Sequence, residues 1–405
     1  MQYLKFILNI PELLLFAYLA FGVLYILLFS IAGLFKVKSN TKSVSKMERN
    51  FAVLIPGYKE DSVIIEVAKK ALEQTYDKAK YDVVVIADSF EQKTLEALKA
   101  LPIILIEVSF ETSTKSKALN AAMAQIGDSY DVALILDADN IMESDFIGKM
   151  NQAFDQGFKV VQGHRIAKNT NTSFAILDAI SEEVNNHIFR KGHRVLGFSS
   201  ALIGSGMAFD YQYFKSTMAN IKAIGGFDKE VELTLLRDGE TIEYLDDALV
   251  LDEKVQKADV FANQRKRWLS AQFVYFKRFF WSGIKALFLK GNVDFFDKVY
   301  QMIAPPRVLL AGLVTVLTMI SLVFQAFFPE LSMLFYVPPL AWLVTFSAVI
   351  VAFFCAIPKV FYNGKTLNAL LTLPKAFGLM FLSLFRLKGA NKKFIHTQHG
   401  TINSN

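Results

Sequence analysis

Three long stretches of the chain carry no charged residue. They cover residues 13–35, 308–328 and 336–357. At a rise of about 1.5 Å per residue, each is long enough as a helix to cross a hydrocarbon core about 30 Å thick. The first run exceeds the apolar region of a cleavable signal peptide, so we expect it to remain as an anchor. The pattern predicts three membrane-spanning helices, of which the last two form a hairpin.

The basic residues near these runs predict the orientation of the chain. Lysines and arginines follow the first span and close the chain, whereas the connector between the second and third spans has none. The positive-inside rule therefore places residues 36–307 and the C-terminus in the cytoplasm. A fourth apolar stretch, residues 367–385, contains Pro374 and Lys375 at its centre, which favours a helix in the membrane interface over a span. The basic residues concerned are Lys36, Lys38, Lys42, Lys46, Arg49, Arg386, Lys388, Lys392 and Lys393.

Between the anchors, the hydrophobic positions alternate between two periods. Short β-branched runs occur at residues 51–55, 83–87, 103–108 and 132–136. Between them lie stripes of apolar residues at the i, i+3, i+4 spacing of a helix, formed by Ile64, Val67, Ala68, Ala71 and Leu72 and by Leu119, Ala122, Met123 and Ile126. Strands and helices that alternate in this way predict an α/β domain with a parallel sheet.

These patterns divide the chain into five predicted segments. A transmembrane anchor precedes a cytosolic α/β domain, and interfacial amphipathic helices connect that domain to a transmembrane hairpin. An interfacial helix and a basic tail end the chain. The predicted boundaries are 1–35, 50–270, 271–305, 306–358 and 366–405.

Polar side chains follow three of the predicted strands. Glu60 comes soon after the first strand, Asp88 after the second, and Asp137 and Asp139 after the fourth. The carboxyl ends of parallel strands meet at one edge of a sheet, where α/β proteins bind their ligands. Two carboxylates at i and i+2 suit Mg²⁺ or Mn²⁺ that bridges a diphosphate, because these cations prefer hard oxygen ligands. Taken alone, the Asp-x-Asp pair is also compatible with a solvated turn.

Composition fits a membrane protein and excludes several other classes. Hydrophobic residues make up 53% of the 405 residues and charged residues 20%, which is too apolar for a wholly soluble enzyme or a disordered chain. The net charge of +6 is explained by basic residues near the membrane, and no motif for RNA or DNA binding is found, so we expect no nucleic acid partner. Cys355 is the single cysteine, which excludes an intrachain disulfide and a thiolate metal cluster.

Five short segments follow one another in order between residues 51 and 280, with Asp88 at a further strand end. They are Ile55-Pro56-x-Tyr58-x-Glu60, Lys115-Ser-Lys117-Ala-Leu-Asn120, Asp137-Ala-Asp139, Gly204-Ser-Gly206 and Gln264-x-x-Arg267-Trp268. Together they resemble the inverting family-2 glycosyltransferases of the GT-A fold, of the membrane-integrated kind that includes cellulose, hyaluronan and poly-N-acetylglucosamine synthases. The resemblance implies an α/β, Rossmann-like nucleotide-sugar transferase domain inserted between transmembrane helices.

The resemblance also implies roles for individual residues on the donor side. Asp137 and Asp139 match the motif that binds the metal, Mg or Mn, and the diphosphate. Asp88 resembles the acidic residue that contacts uracil or ribose. The remaining nucleotide-sugar-binding positions are Pro56, Tyr58, Glu60, Lys117 and Asn120.

On the acceptor side, Gly206 belongs to a segment that resembles the small-residue loop beside the acceptor. Gln264, Arg267 and Trp268 lie at i, i+3 and i+4, which places them on one face of a helix. There Arg267 could meet diphosphate charge and Trp268 could stack on a pyranose. The competing interpretation is a basic, aromatic collar above the membrane, which we favour for residues 277–281 instead.

The general base is expected in the segment from Asp228 to Leu233. Glu230 falls where the family has the aspartate that acts as base, with Lys229 beside it. A glutamate can accept the proton of an acceptor hydroxyl, and Lys229 could hold it ionised. We therefore predict Glu230 and Asp139 as catalytic residues, with Asp228 as a competing candidate for the base.

The predicted function is transfer of a sugar from a nucleotide diphosphate sugar, most simply UDP-linked, to a growing polysaccharide or glycan at the inner face of the membrane. One alternative is single-sugar transfer to a lipid-linked acceptor. Another is a catalytically silent membrane scaffold that docks subunits of an envelope complex. The sequence leaves open the sugar, the acceptor, the linkage, export of the product and the oligomeric state.

Overall fold

The computed structural model describes residues 2–37, 47–221, 223, 225–332 and 335–384. Its strands are β1 Phe51–Tyr58, β2 Tyr81–Asp88, β3 Ile104–Val108, β4 Val132–Ile135, β5 Ile141–Met142, β6 Val160–Ala167, β7 Met207–Asp210 and β8 Ile242–Asp252. Its helices are α1 Gln2–Ala32, α2 Ile64–Ala71, α3 Gln92–Lys99, α4 Lys115–Gln125, α5 Phe146–Asp155, α6 Ser173–Asn185, α7 His193–Val195, α8 Tyr211–Met218, α9 Phe227–Arg237, α10 Ala258–Lys290, α11 Val293–Gln301, α12 Arg307–Phe327, α13 Pro329–Ser332, α14 Pro339–Ala356, α15 Gly364–Leu370 and α16 Leu373–Leu384. A π-helical segment, Asn186–Gly192, joins α6 to α7.

The eight strands form one mixed sheet in the order β3-β2-β1-β4-β7-β6-β8-β5. The four predicted strands are β1 to β4, and their mutual pairs β1–β2, β2–β3 and β1–β4 are parallel, as predicted. The second half was not predicted as a sheet. It joins β4 through the antiparallel strand β7, and β6 and β8 then pair in parallel.

Side-chain caps and apolar stripes explain why the helices begin and pack where they do. The Thr114 hydroxyl accepts a hydrogen bond from the backbone of Lys117 at the start of α4, and Asp210 does the same for Tyr213 at the start of α8. On one side of the sheet α4, α8 and α9 bury their apolar faces, and on the other side α2 and α5 do so. The sheet is therefore covered on both faces, as a parallel sheet requires.

Three helices are long and apolar enough to cross a membrane, at Asn9–Ala32, Arg307–Phe327 and Pro339–Ala356. They agree with the three predicted spans by length and composition. α1 and α12 both pack on α14, and a ring contact of 5.0 Å between Phe16 and Trp342 is part of the α1–α14 interface. Large apolar side chains on their outer surfaces remain exposed, among them Leu14, Leu24 and Phe354.

The predicted interfacial stretch 367–385 is divided between two short helices, α15 and α16. Leu371 and Thr372 separate them, and Pro374 lies in the first turn of α16, where a proline is tolerated because its missing N–H has no partner there anyway. The basic tail from residue 385 onward and the predicted basic residues Lys38, Lys42 and Lys46 lie outside the described residues.

The C-terminal end of α1 is embedded in the α/β domain. The Phe29 ring stacks on His193 with 3.6 Å between ring centroids. The end of α1 and the π-helical segment approach closely. A Cβ at Gly192 would lie 2.2 Å from the Phe29 carbonyl oxygen, and one at Gly33 would lie 2.6 Å from His187 Nε2. Only glycine fits at these two positions. The π-helical segment thus packs the α/β domain tightly against α1.

We predict that Gly192→Ala destabilises the protein, because the added methyl group must push α1 away from the π-helical segment. The expected loss is about 1–3 kcal/mol of the free energy of unfolding, the usual range for overpacking. Thermal unfolding of the full chain in detergent measures it as a lower Tm. Gly148→Ala is the matched control, because Gly148 lies within α5 with nothing near its Cβ position, and alanine is the better helix former. An equal Tm for both variants would contradict the tight junction.

Candidate active site

A cavity of about 720 Å³ lies at the carboxyl ends of β1, β2 and β4, and its far wall is the start of α10. It brings together predicted residues that are far apart in the sequence. From the strand ends come Pro56, Tyr58, Glu60, Asp88, Asp137 and Asp139, and from α10 come Gln264, Arg267 and Trp268. Nine of the predicted positions therefore surround one space.

The ends of β1 and β2 are sharply turned. Lys59 and Ser89 adopt positive φ values of 56° and 60°, which is uncommon for residues other than glycine. Ser89 donates a hydrogen bond of 2.9 Å to Asp88, whose side chain is 3% exposed. Backbone strain of this kind clusters at ligand sites. The turns direct Tyr58 and Asp88 towards the same part of the cavity.

Asp137 and Asp139 occupy different environments after β4. Asp139 is 4% exposed and accepts a hydrogen bond of 3.1 Å from the Asn140 amide. Asp137 is more open, forms an ion pair with Lys115 and lies 3.9 Å from an Arg165 nitrogen. Asp139 is therefore held in place by the protein, whereas the surroundings of Asp137 are rich in positive charge.

The two aspartates fit a divalent cation whose remaining ligands come from the substrate and water. Among the described residues, no group of three or more His, Cys, Asp or Glu side chains could hold a metal ion. Mg²⁺ is commonly bound through one or two carboxylates, with substrate phosphate oxygens and water completing its shell. Asp137 and Asp139 offer two such carboxylates, so a donor phosphate and water would have to complete the shell of the ion.

Two predictions on α4 are wrong about which side chain reaches the site. Lys117 points to the outside, where its ammonium group donates to the Thr112 carbonyl at 2.8 Å. Asn120 donates to the Met218 carbonyl at 3.0 Å and so joins α4 to α8. The cavity is lined instead by Lys115, which contacts Asp137 and donates to the Gly204 carbonyl at 2.6 Å. Lys115 occupies the first helical position, from which its side chain reaches back over the strand ends.

Gly204 lines the cavity, whereas the predicted Gly206 does not. Both have positive φ, 60° for Gly206 and 87° for Gly204. Gly206 belongs to the sheet: its N–H donates to Ile135 and its carbonyl accepts from Gly163. A Cβ there would meet Val250 at 3.1 Å. Gly206 therefore has a structural role, and Gly204 borders the cavity beside Asp228.

The assignment of Glu230 as the base is also corrected by the geometry. Glu230 is 2% exposed and faces α10, where it pairs with Arg278 at 2.5 Å and accepts a longer contact of 3.5 Å from Tyr275. It is not among the described residues that line the cavity, whereas Asp228 is. The two positions are two residues apart on a helix, a rotation of about 200°. Only one of them can face the cavity, and it is Asp228.

The environment of Asp228 raises the pKa of its carboxyl, which makes it a stronger proton acceptor. Burial raises the pKa of the Asp228 carboxyl above its ordinary value, Glu232 adds to that shift, and Lys229 and Lys115 oppose it. A left-handed Gly226, with φ 68°, starts α9 and sets the direction of its first turn. General bases are most effective when their pKa lies near the working pH.

The three residues on α10 face the cavity together, as their spacing predicted. Burial lowers the pKa of the Arg267 guanidinium, while the charges of Asp137 and Asp228 oppose that shift, so Arg267 lies near both carboxylates. Trp268 is 38% exposed, and the Arg265 guanidinium covers its ring at 4.4 Å. The alternative of a solvent-facing collar fits Trp281, which is 70% exposed, but does not fit Arg278, which pairs with Glu230.

The floor of the cavity is formed by a cluster of buried charged residues that the sequence did not predict. Arg165, Glu182, Arg190, Asp252 and Lys254 are all buried and line it. Glu182 lies 3.0 Å from Arg165 and 3.2 Å from Arg190, and Lys254 lies 2.7 Å from Asp252. Burial opposes the charged form of Glu182, but Arg165, Lys254 and Arg190 outweigh it and hold its pKa well below the ordinary value. No periodic pattern marks such a cluster, because its members come from β6, α6, the π-helical segment and the end of β8.

Comparison with known proteins agrees with this arrangement. Residues 49–271, more than half of the chain, match the sequence profile of Glycosyltransferase like family 2. Curated protein sequences give no match to the chain. Among solved structures it is similar to the mannosyltransferase PcManGT from Pyrobaculum calidifontis in complex with GDP-Man and Mn²⁺, at 15% identity and a TM-score of 0.51, covering 84% of this chain and 96% of that one. It is also similar to residues 1–349 of TarS from S. aureus in complex with UDP-GlcNAc, at 13% identity and a TM-score of 0.41, covering 81% and 91%.

The profile match begins just before β1 and ends within α10, so it covers the sheet, the strand-end carboxylates and the Gln264, Arg267 and Trp268 face. The likeness to PcManGT shows the fold, a GT-A domain that here lies between apolar helices. The chain therefore belongs to glycosyltransferase family 2 and is a glycosyltransferase.

Proposed function

We propose that the protein transfers a sugar with inversion from a UDP-sugar to an acceptor that reaches the site from the membrane. The observation that carries this proposal is the single cavity that holds the strand-end residues, Asp228 and the α10 face together. One wall offers carboxylates and a lysine to a nucleotide diphosphate. The opposite wall offers a base, a guanidinium and an aromatic ring to an acceptor sugar.

The donor half is formed by β1, β2 and α4. Tyr58 and Asp88 are proposed to hold the nucleoside, with Pro56 and Glu60 completing that wall. Lys115 is proposed to bind the diphosphate. Its ammonium group contacts Asp137, and its positive charge would stabilise the negative charge of the leaving phosphate. Arg267, near Asp137 and Asp228, is proposed to stabilise the same charge as it develops.

Asp139 and Asp137 are proposed to hold Mg²⁺ or Mn²⁺ together with the donor. When bound, the ion would neutralise charge on the departing phosphate oxygens. In this proposal Asn140 orients Asp139 through its hydrogen bond of 3.1 Å. The neighbouring Ser205 hydroxyl, which accepts the Asp137 backbone N–H at 2.8 Å, fixes the turn that carries both carboxylates.

Asp228 is proposed as the general base. It takes the proton of an acceptor hydroxyl as that oxygen forms a bond to the anomeric carbon. The bond from the anomeric carbon to the diphosphate oxygen breaks, and its electron pair leaves with UDP. Attack from the face opposite the leaving group inverts the anomeric centre. Gln264 and Trp268 are proposed to position the acceptor sugar.

The first test is release of UDP from a panel of UDP-sugars by the full chain in detergent with Mn²⁺. We expect release from one donor, and we expect Asp139→Asn to lose it by about 100-fold or more, because the variant removes a carboxylate ligand of the ion that would neutralise the phosphate charge. Wild-type release by Asp139→Asn in excess Mn²⁺ would overturn the assignment. Binding of UDP without release from any donor would support the silent scaffold.

A second prediction separates the two candidate bases. Asp228→Asn should lower kcat about 10²–10⁴-fold, the usual contribution of a general base. Glu230→Gln should keep kcat within about threefold and lower the Tm only modestly, because the charge it leaves unpaired belongs to the half-exposed Arg278. Both variants are isosteric amides on one helix, so they control for each other. The reverse pattern would restore Glu230 as the base.

A third prediction concerns pH. Only the ionised Asp228 carboxylate can accept a proton, so kcat/KM should fall as pH falls through its pKa. Because burial raises that pKa, the acidic limb should lie above the ordinary value for Asp of about 3.9. Lys229→Met should move the limb to still higher pH, because Lys229 favours the charged form. A limb that Lys229→Met leaves unchanged, or moves to lower pH, would contradict this assignment.

A further inference from the structure

The active-site cavity extends well beyond the donor and base towards the membrane helices. Its second end is lined by residues of α6, the π-helical segment and the C-terminal end of α11: Asp178, Glu182, Asn185, Phe189, Gln301 and Met302. Met302 is followed within five residues by Arg307, the first residue of the span α12. One open space therefore leads from the strand ends to the beginning of a membrane-spanning helix.

Arg307 at this position is a guanidinium without an anionic partner. Its Nη2 donates to the Ser181 backbone carbonyl at 3.2 Å, and its Nη1 is shielded from solvent and has no hydrogen-bond partner among the described residues. No carboxylate of the described residues lies within ion-pair distance of it. The side chain lies against Phe189, 5.4 Å from the ring centroid, and Phe189 lines the cavity.

The carboxylates nearest to Arg307 are already engaged by other arginines. Asp178 pairs with Arg265 at 2.5 Å, and Glu182 pairs with Arg165 and Arg190. Two carboxylates thus face three arginines before Arg307 is counted, so none of them is left to balance the charge of Arg307. Enclosing an unpaired charge is costly, and an unsatisfied buried donor in a folded protein indicates a missing ligand or ion. An anion would accept from Nη1 and balance the charge of Arg307 as well.

An apolar cluster adjoins the same end of the cavity. Val255 and Val260 line the cavity and pack with Leu309 of α12 and with Met380 and Phe377 of α16. Leu309 lies two residues after Arg307, within the span. A guanidinium without a carboxylate partner, next to an apolar wall at the start of an apolar helix, matches the junction between the charged head and the hydrocarbon chain of a lipid.

We propose that Arg307 binds the phosphate headgroup of a membrane lipid whose sugar-accepting end enters the cavity, so that the acceptor is a phosphate-bearing lipid. The inference rests on the proposed function, because the cavity must hold a donor for the lipid to act as acceptor. The planar guanidinium suits phosphate, since it donates two parallel hydrogen bonds to phosphate oxygens. A neutral glycan would leave the Arg307 charge uncompensated.

Binding of a phosphate-bearing lipid can be measured apart from sugar transfer. The full chain in detergent is titrated with dioleoyl phosphatidic acid, with dioleoylglycerol, which has the same chains and no phosphate, and with inorganic phosphate. We expect the phosphatidic acid to raise the Tm at concentrations at least about tenfold lower than either of the other two. Arg307→Gln should weaken this binding about tenfold or more, and Arg307→Lys, which keeps the charge but loses the planar donor pair, should fall between.

Lys290→Gln is the control for general attraction between basic residues and anionic lipid, because Lys290 is exposed at the end of α10. It should bind phosphatidic acid like the wild type. UDP binding, measured in parallel, reports whether each variant is folded and tests the donor site separately. Equal binding of phosphatidic acid and dioleoylglycerol, tight binding of inorganic phosphate alone, or unchanged binding in an Arg307→Gln protein that still binds UDP would each overturn the proposal. Loss of UDP binding in the wild type would overturn the donor site instead.

Discussion

The structure depends on one buried group of charges at the floor of the cavity. Arg165, Arg190 and Lys254 supply three positive charges, and Glu182 and Asp252 supply two negative ones. The five residues come from four elements, so the cluster fixes the relative positions of β6, α6, the π-helical segment and the end of β8. Removing one member would leave its partners buried and unpaired, which costs about 3–5 kcal/mol for a buried pair. Such a cluster therefore tolerates little rearrangement.

The same charges connect the two aspartates after β4 to the first of the long apolar helices. Asp252 accepts a hydrogen bond of 3.0 Å from Asn140, which also holds Asp139, and Arg165 lies 3.9 Å from Asp137. On the other side, Arg190 belongs to the π-helical segment, which contacts the end of α1. A displacement of the first span would thus be transmitted to the carboxylates through a few rigid, charged contacts. The geometry of Asp137 and Asp139 is therefore coupled to the position of α1.

The sequence predicted the parts of the structure that have a period. The parallel half of the sheet follows from four β-branched runs, the spans from uncharged runs, and the face of Gln264, Arg267 and Trp268 from helical spacing. In the second half of the sheet, which was not predicted, β6 and β8 carry polar residues within their apolar runs, and β5 and β7 are only two and four residues long. A strand that short carries too few positions for an alternation to be recognised.

Of the four predicted residues that do not line the cavity, three lie only two positions from a residue that does, and Asn120 is the fourth. The cavity is lined by Lys115 and not by Lys117, by Gly204 and not by Gly206, and by Asp228 and not by Glu230. Two positions along a helix reverse the face of a side chain, so a motif aligned by residue type alone cannot decide between them. What decides is tertiary contact: Glu230 has Arg278, and Lys117 has the Thr112 carbonyl.

The position of α9 shows how far the catalytic unit extends beyond the family domain. Asp228 and Lys229 face the cavity, while Glu230 is held by Arg278 of α10 and Glu232 by Lys298 of α11. Lys298 and Glu232 are fully buried, and Glu232 also holds Lys229 at 2.8 Å. Arg278 and Lys298 both lie after residue 271, where the family match ends. The helix that carries the proposed base is therefore fixed by two ion pairs from the segment leading to the membrane hairpin. The proposed base is therefore held in a fixed position relative to α10 and α11, because neither ion pair can break without leaving a buried charge.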